Sequence, residues 1–145
     1  MSKIFTLGEA QTLLPVVEAL LRRAQTAGER AGELEMEMQA LSQRIFLMGG
    51  THIDVAVAAR RRAELDKSVQ ETKDTLAEIE SIGVQIKELD KGLLDFPSVI
   101  DGKAVLLCWQ LGEKEIAFWH SPEDGFAGRK PLDARFGKPE RERPN

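Results

Sequence analysis

The fold is decided by residues 92 to 132, which read GLLDFPSVIDGKAVLLCWQLGEKEIAFWHSPEDGFAGRKPL. This stretch holds both tryptophans, the only cysteine and one of the two histidines of the chain. Its apolar residues recur with a period of two, which is typical of β-strands. Because the chain before it has a helical pattern and the chain after it is a charged tail, we expect any small-molecule chemistry to lie in or beside this stretch.

The stretch predicts a three-stranded antiparallel meander. Asp101-Gly102 is a hairpin turn signal between strands at 96–100 and 103–111, and the Gly112 turn leads to a third strand at 116–120. Pro97 predicts that the first strand is an edge strand. The register of the second hairpin is open: if Leu111 pairs with Ile116, one face carries Val105, Leu107, Trp109, Phe118 and His120, and the other carries Leu106, Cys108 and Trp119.

The chain before residue 92 predicts two helices. Thr6 and Glu9 have the spacing of a capping box, so a helix begins there. Pro15 predicts a short first helix or a kink near residues 11–15. Gly49-Gly50 ends the long helix, Thr51 or Asp54 caps the next one, and the apolar spacing carries that second helix to about Asp90.

Folding back at the paired glycines makes an antiparallel helical hairpin that resembles a coiled coil. Gly28 then faces Thr72, and Leu21 faces Ile79. Two helices cannot cover every apolar position, so we expect self-association, most simply as a dimer. The alternative is that the β lobe folds back over these positions, which are Val16, Leu20, Met36, Ile53 and Val57.

Composition excludes several classes of protein. The net charge of −4 argues against a general nucleic-acid binder. A single cysteine excludes an intramolecular disulfide and a cysteine-rich zinc site, which favours a reducing compartment, and the cytoplasm is the expected location. No run approaches the roughly 18 apolar residues of a membrane span. Arg60 to Arg62 form a local basic spot. A third, less favoured hypothesis is that this spot binds nucleic acid.

Candidate site residues cluster in the β lobe. His120, with Asp95, Glu113, Glu123 and Asp124 nearby, is the one candidate metal ligand. No spacing matches a metal motif, so the expected role of His120 is a hydrogen bond to a loop backbone, and no metal is predicted.

The loop from Gly125 to Lys130 combines two glycines with two cations, which suits a phosphate or carboxylate. In the alternative, the glycines serve turns and Arg129 pairs with a carboxylate such as Asp95. Cys108, Trp109 and Trp119 are expected to be core residues.

Several motifs together resemble a family of small bacterial proteins classed as a domain of unknown function. They are Phe5-Thr-x-x-Glu-Ala with Leu13-Leu-Pro, Gly92-Leu-x-Asp-Phe-Pro-Ser, Leu107-Cys-Trp-x-x-Gly-Glu, Trp119-His, and Gly125-Phe-x-Gly-Arg-x-Pro-Leu. The resemblance covers nearly the whole chain except the tail. It implies a bacterial source and one intact domain, and it transfers no catalytic or binding residue and no cofactor.

The sequence thus predicts an α+β protein with one domain at 1–136, made of a helical hairpin (1–91) and a β lobe (92–136), and a disordered tail at 137–145. The favoured function is a non-enzymatic scaffold that self-associates and binds a partner or a small anion through the lobe. The alternative is a metal-dependent or acid–base enzyme of the hydrolase type. The residues proposed for the site are Asp95, Glu113, His120, Arg129 and Lys130.

Overall fold

The structure is a computed structural model that describes residues 3–49 and 54–137. Two helices precede a five-stranded antiparallel sheet, which confirms the α+β class. The elements are α1 (Leu7–Leu47), α2 (Val55–Ile82), β1 (Gln85–Glu88), β2 (Leu93–Ile100), β3 (Lys103–Gln110), β4 (Phe118–His120) and β5 (Lys130–Pro131). No helix within the described ranges is long and apolar enough to span a bilayer.

The capping box at the start of α1 is confirmed. The amide of Thr6 donates to Glu9 Oε1 at 3.0 Å, and the amide of Glu9 donates to Thr6 Oγ1 at 3.1 Å. One helix continues through Pro15, so no separate short helix precedes it. Pro15 is exposed, and the loss of a single amide donor at such a position does not end the helix.

The second helix begins as predicted and ends earlier than predicted. Asp54 Oδ1 accepts a hydrogen bond from the amide of Val57, whereas Thr51, the other candidate cap, lies outside the described residues. The helix ends at Ile82 instead of near Asp90 because Gly83 has a φ of 108°. A Cβ at Gly83 would lie 2.8 Å from Lys3 Cβ, so the position requires glycine for space as well.

The chain divides into two compact units, Met1–Leu21 with Leu76–Asn145, and Arg22–Thr75. In the second unit the expected approach of the helices at Gly28 is confirmed, because a Cβ there would lie 3.9 Å from Thr72 Cγ2. Among the described residues of this unit, the buried apolar ones are Ala24, Ala27 and Leu34.

The apolar helix positions that were expected to be exposed differ in their observed exposure. Val16 and Met36 are exposed, as predicted. Val57 is half-buried, and Ile53 lies outside the described residues. Leu20 is buried in the apolar core of the first unit together with residues of the sheet, so its expected exposure is wrong and the alternative, cover by the β lobe, holds there.

The sheet of the first unit has the strand order β1-β2-β3-β4-β5. The Asp101-Gly102 turn is confirmed, since Ile100 pairs with Lys103 and both turn residues have positive φ. As a whole, β2 is not an edge strand, because β1 pairs with its residues Leu93–Asp95. Pro97 lies beyond the end of β1, in the part of β2 that pairs with β3, so the expected edge position holds for Pro97 itself.

The register of the second hairpin differs from the one considered above. Leu106 pairs with His120, Leu107 with Trp119 and Cys108 with Phe118. His120 therefore shares a face with Cys108 and Leu106, and Trp119 lies on the opposite face. The connection from 111 to 117 is long enough to permit either register, so its length alone does not decide between them.

One face of the sheet carries the apolar core. Leu94, Phe96, Leu107 and Trp109 form a cluster with residues of α1, and each has an exposure of 0%. Phe5 meets Phe96 edge to face, with ring centroids 5.6 Å apart. The opposite face, which we call the outer face, is left for the polar residues described below.

Candidate functional site

Three neighbouring strands contribute one side chain each to a polar cluster on the outer face. Asp95 of β2 pairs with Cys108 of β3, and His120 of β4 pairs with Leu106, two residues before Cys108. Because side chains two residues apart on a strand point to the same face, Asp95, Cys108 and His120 come together. We call these three residues the outer-face triad.

Asp95 and His120 form a buried pair. Nε2 of His120 lies 3.0 Å from Oδ1 of Asp95, and the two side chains are 3% and 2% exposed. Nδ1 of His120 lies 2.8 Å from the carbonyl oxygen of Ser121. Since a carbonyl only accepts, Nδ1 carries a proton and donates it there.

The second carboxylate oxygen of Asp95 is buried without a hydrogen-bond partner in the described part of the chain. An unsatisfied buried polar atom costs about 1 to 3 kcal/mol, and more when the group is charged. Such an atom is a reason to expect a bound group at this point.

Cys108 stands between this pair and a cation. Burial, followed by the charge of Asp95, raises the pKa of the Cys108 thiol to about 11, although the Arg129 guanidinium acts in the opposite direction. The thiol is therefore protonated at neutral pH unless another cation joins it. The prediction that Cys108 is buried is confirmed, but its place beside Asp95 was missed.

Arg129 is held by Glu113 and by two aromatic rings. Its guanidinium makes two bonds to the Glu113 carboxylate, at 3.1 and 3.2 Å, and lies 4.0 Å from the Phe118 ring centroid and 4.4 Å from that of Phe126. Burial lowers the pKa of Arg129, but the bonds to Glu113 and the contact with Cys108 outweigh it and leave the pKa raised. Arg129 pairs with a carboxylate, as in the alternative for this loop, but with Glu113 in place of Asp95.

The loop of residues 125–132 is shaped by its glycines. Gly125 has a φ of 67°, and a Cβ on Gly128 would lie 2.6 Å from Asp124 Cβ. The chain then joins the sheet as β5, where the Leu132 amide donates to the Ala117 carbonyl. These constraints orient Arg129 toward Glu113 and Cys108.

A cavity of about 330 Å³ opens over the outer-face triad. The apolar part of its wall is formed by Leu93, Leu106, Pro122 and Phe126. All three triad residues also line it, so the unpartnered oxygen belongs to a side chain at the cavity wall.

Lys87 and Glu88 supply the polar part of the rim. Both lie in β1, where the register shifts between Ile86 and Glu88. Such a bulge re-aims a side chain, and here both residues line the cavity. Glu88 has Lys91 at 3.9 Å, whereas Lys87 has no ion-pair partner in the described ranges.

The predicted site residues are thus partly brought together. Asp95 and His120 bond directly, and Arg129 contacts both Glu113 and Cys108. Lys130 is not brought to them, because its Nζ lies 5.1 Å over the ring of Trp119 on the opposite face.

The basic spot on the second helix is largely engaged in ion pairs. Arg61 bonds to Glu37 and Glu64, and Arg62 bonds to Asp66. His52, the second histidine, lies outside the described residues.

The chain matches the model of a known protein family over the residues that form the site. The model of an uncharacterized conserved protein family, DUF2203, matches residues 3–132. The chain belongs to the DUF2203 family. No curated protein and no solved structure matches the chain. The DUF2203 match covers both helices, the five strands and every residue of the outer-face triad.

Proposed function

We propose that this DUF2203 protein binds a small organic anion in the cavity over the outer-face triad. The observation that carries the proposal is Lys87, a cation without an ion-pair partner in the described ranges, at the rim of a partly apolar cavity. The unpartnered Oδ2 of Asp95 at the wall is an acceptor, so it would take a hydrogen bond from a hydroxyl or amino group of the same ligand. Ligand sites are typically apolar clefts with a few convergent polar groups. A volume of about 330 Å³ suits a small metabolite.

The rim favours a negatively charged ligand. Lys87 is a cation without an ion-pair partner in the described ranges, whereas Glu88 has Lys91 beside it. Arg129 does not serve this purpose, because Glu113 neutralises it. The anion binding that the sequence suggests for Arg129 and Lys130 is therefore assigned to Lys87.

Benzoate and benzylamine, two probes of similar size and opposite charge, test the proposal in titrations followed by amide NMR shifts. Benzoate is expected to shift residues 85–88 and 120–126 and to bind more tightly than benzylamine. Lys87→Gln should weaken benzoate binding a few-fold, as an exposed ion pair is worth about 0.2 to 1 kcal/mol. Lys103→Gln, an exposed lysine at the start of β3, is the matched control and should change nothing.

Leu106→Phe fills the cavity and is expected to abolish binding of both probes. Equal binding of the two probes, or shifts confined to other surfaces, would contradict the proposal.

A catalytic role would rest on Asp95 among the proposed acid–base groups. Glu113 and Arg129 are bonded to each other, and both ring nitrogens of His120 have partners, Nδ1 the Ser121 carbonyl and Nε2 the Asp95 carboxylate. Oδ2 of Asp95 has no hydrogen-bond partner in the described ranges and would serve as a general base. Hydrolysis of a p-nitrophenyl ester that disappears in Asp95→Asn would support this role, and a rate equal to that of the variant would contradict it.

Self-association is favoured by apolar residues on both sides of residues 50–53. Phe46, Leu47 and Val55 are 84%, 75% and 73% exposed. We propose a second copy of the chain as the partner of these residues. Light scattering of the wild type at tens of micromolar should give a dimer that Phe46→Ser weakens, and a strict monomer would contradict it.

A further inference from the structure

The hydrogen bonding of His120 leaves Nε2 facing a carboxylate oxygen, and this contact requires a proton or a metal ion between the two atoms. Nδ1 donates to the Ser121 carbonyl, so in the neutral imidazole Nε2 presents a lone pair. That lone pair faces Oδ1 of Asp95 at 3.0 Å, and a carboxylate oxygen is also an acceptor. Two acceptors at this distance repel each other unless a proton or a metal ion lies between them.

Cys108 is the third donor at the same point. One donor atom each from Asp95, Cys108 and His120 lies within 4.8 Å of the others, and all three residues are buried. Bond lengths of about 2.0 to 2.3 Å place the ligand atoms of a tetrahedral site about 3.3 to 3.7 Å apart. Small adjustments of three side chains would therefore enclose an ion, and Oδ2 of Asp95 provides a further unpartnered oxygen.

We infer that the outer-face triad binds one divalent transition-metal ion, such as Zn²⁺, through one carboxylate oxygen, one thiolate sulfur and Nε2 of His120. Nitrogen and sulfur donors select this class over Mg²⁺ and Ca²⁺, which require oxygen ligands. The Ser121 carbonyl would orient the imidazole from outside the ligand set, as is usual for histidine ligands of metals.

The charges of the site balance with a divalent ion. On binding, the Cys108 thiol loses its proton to solvent, so the ion meets one carboxylate and one thiolate. The net charge of the ion and its ligands is then zero. Arg129 contacts Cys108, with its own charge offset by Glu113.

This inference rests on the proposed function in one respect. The ligand bound in the cavity would occupy the fourth coordination position of the metal ion. The triad would fill three positions, and because all three of its residues line the cavity, the fourth would open into it. A small anion whose carboxylate occupies that position while its apolar part contacts Leu93 and Leu106 fits the cavity walls. The ligand class is therefore a metal-coordinating organic acid.

Cobalt titration of the untagged, chelator-treated full-length protein tests the inference. We expect one Co²⁺ per chain, intense visible bands of four-coordinate cobalt and a thiolate-to-cobalt charge-transfer band, all displaced by Zn²⁺. Cys108→Ser should abolish the charge-transfer band. Asp95→Asn and His120→Gln should weaken the affinity for Co²⁺. The loss should exceed the roughly 10- to 100-fold that is typical when a residue that only hydrogen-bonds to a metal-binding side chain is replaced.

Asp101→Asn, which changes an exposed carboxylate in the β2–β3 turn, is the matched control and should bind like the wild type. Circular dichroism verifies that each variant is folded. Folded wild type that binds no cobalt, or an identical spectrum from Cys108→Ser, would overturn the inference. Cobalt binding by the triad without benzoate binding would contradict the proposed function alone, and benzoate binding without cobalt would contradict the metal site alone.

Discussion

His120 Nε2 and Asp95 Oδ1 lie 3.0 Å apart although their strands, β4 and β2, are separated by β3. The contact reaches across β3 at the level of Leu106 and Cys108, the residues that pair with His120 and Asp95. A buried polar contact of this kind stabilises the fold only while both partners remain. Its energetics can be measured without knowledge of the ligand.

Removal of one partner of this pair should destabilise the protein more than removal of both. In metal-free protein, Asp95→Leu leaves His120 buried without its partner and is expected to cost about 3 to 5 kcal/mol in the free energy of unfolding. The double variant Asp95→Leu/His120→Leu should cost less than the sum of the single variants. Urea denaturation measures all three. Asp66→Leu, which breaks the exposed pair with Arg62, should cost at most about 1 kcal/mol. Additive costs at Asp95 and His120 would show that the pair is not coupled.

Arg129 should not be replaceable by lysine. The two bonds to Glu113 and the contacts with the Phe118 and Phe126 rings require a planar guanidinium. Arg129→Lys is expected to lower the free energy of unfolding by about 1 to 3 kcal/mol. Arg62→Lys at an exposed ion pair is the control and should change it little. Equal effects of the two substitutions on urea unfolding would refute the proposed role of the guanidinium.

Two glycines should respond in opposite directions to alanine. Gly92 has a φ of 69°, and a Cβ there would lie 2.5 Å from Leu111 Cβ, so Gly92→Ala is expected to destabilise by about 1 to 3 kcal/mol. Gly32 lies within α1, and beyond the adjacent helix backbone nothing lies within 4 Å of the place that an alanine methyl would occupy. Gly32→Ala should therefore stabilise the helix by about 0.5 to 1 kcal/mol. Thermal unfolding followed by circular dichroism checks both signs. A neutral Gly92→Ala would mean that the chain near Leu111 adapts more easily than its packing indicates.

The capping box should make a pH-dependent contribution to stability. The backbone hydrogen bond to Thr6, followed by the bond with its side chain, lowers the pKa of Glu9 below its ordinary value of 4.5. The stabilisation is therefore fully present above pH 4.5 and is lost as the pH falls through the pKa of the folded state. The difference in melting temperature between wild type and Glu9→Gln should shrink as the pH is lowered from about 7 to about 3. Glu35→Gln, at an exposed position of α1, should show no such trend, and a difference at Glu9 that grows in acid would contradict the mechanism.

Local signals in the sequence predict much of the fold. The Thr6–Glu9 capping box, the Asp54 cap and the Asp101-Gly102 turn each depend on a few adjacent residues, and all three are present. The predicted end of α2 is wrong because Ile86 and Leu89 continue the three-residue spacing of the helix. The spacing of apolar residues gives no information about Gly83, where the φ is positive and a Cβ would have no room. β1 was missed for the same reason.

The candidate site could be predicted only in part. Asp95 and His120 stand out as polar residues in an apolar lobe, and they do meet. Cys108 is assigned to the core by its sequence because Leu107 and Trp109 flank it. The signal that could have found it is the hairpin register, since a turn that pairs Ile100 with Lys103 also places Asp95 opposite Cys108. Lys87 could not be found, because its position depends on a bulge in a strand that the periodicity does not reveal.

The identity of the atoms around a bound metal tests the role of the outer-face triad most directly. X-ray absorption at the zinc edge of the Zn²⁺-loaded protein should show one sulfur at about 2.3 Å and the remaining nitrogen and oxygen ligands at about 2.0 to 2.2 Å. The sulfur should disappear in Cys108→Ser. A wild-type spectrum with nitrogen and oxygen alone, or a folded protein that retains no zinc, would contradict metal binding by Asp95, Cys108 and His120.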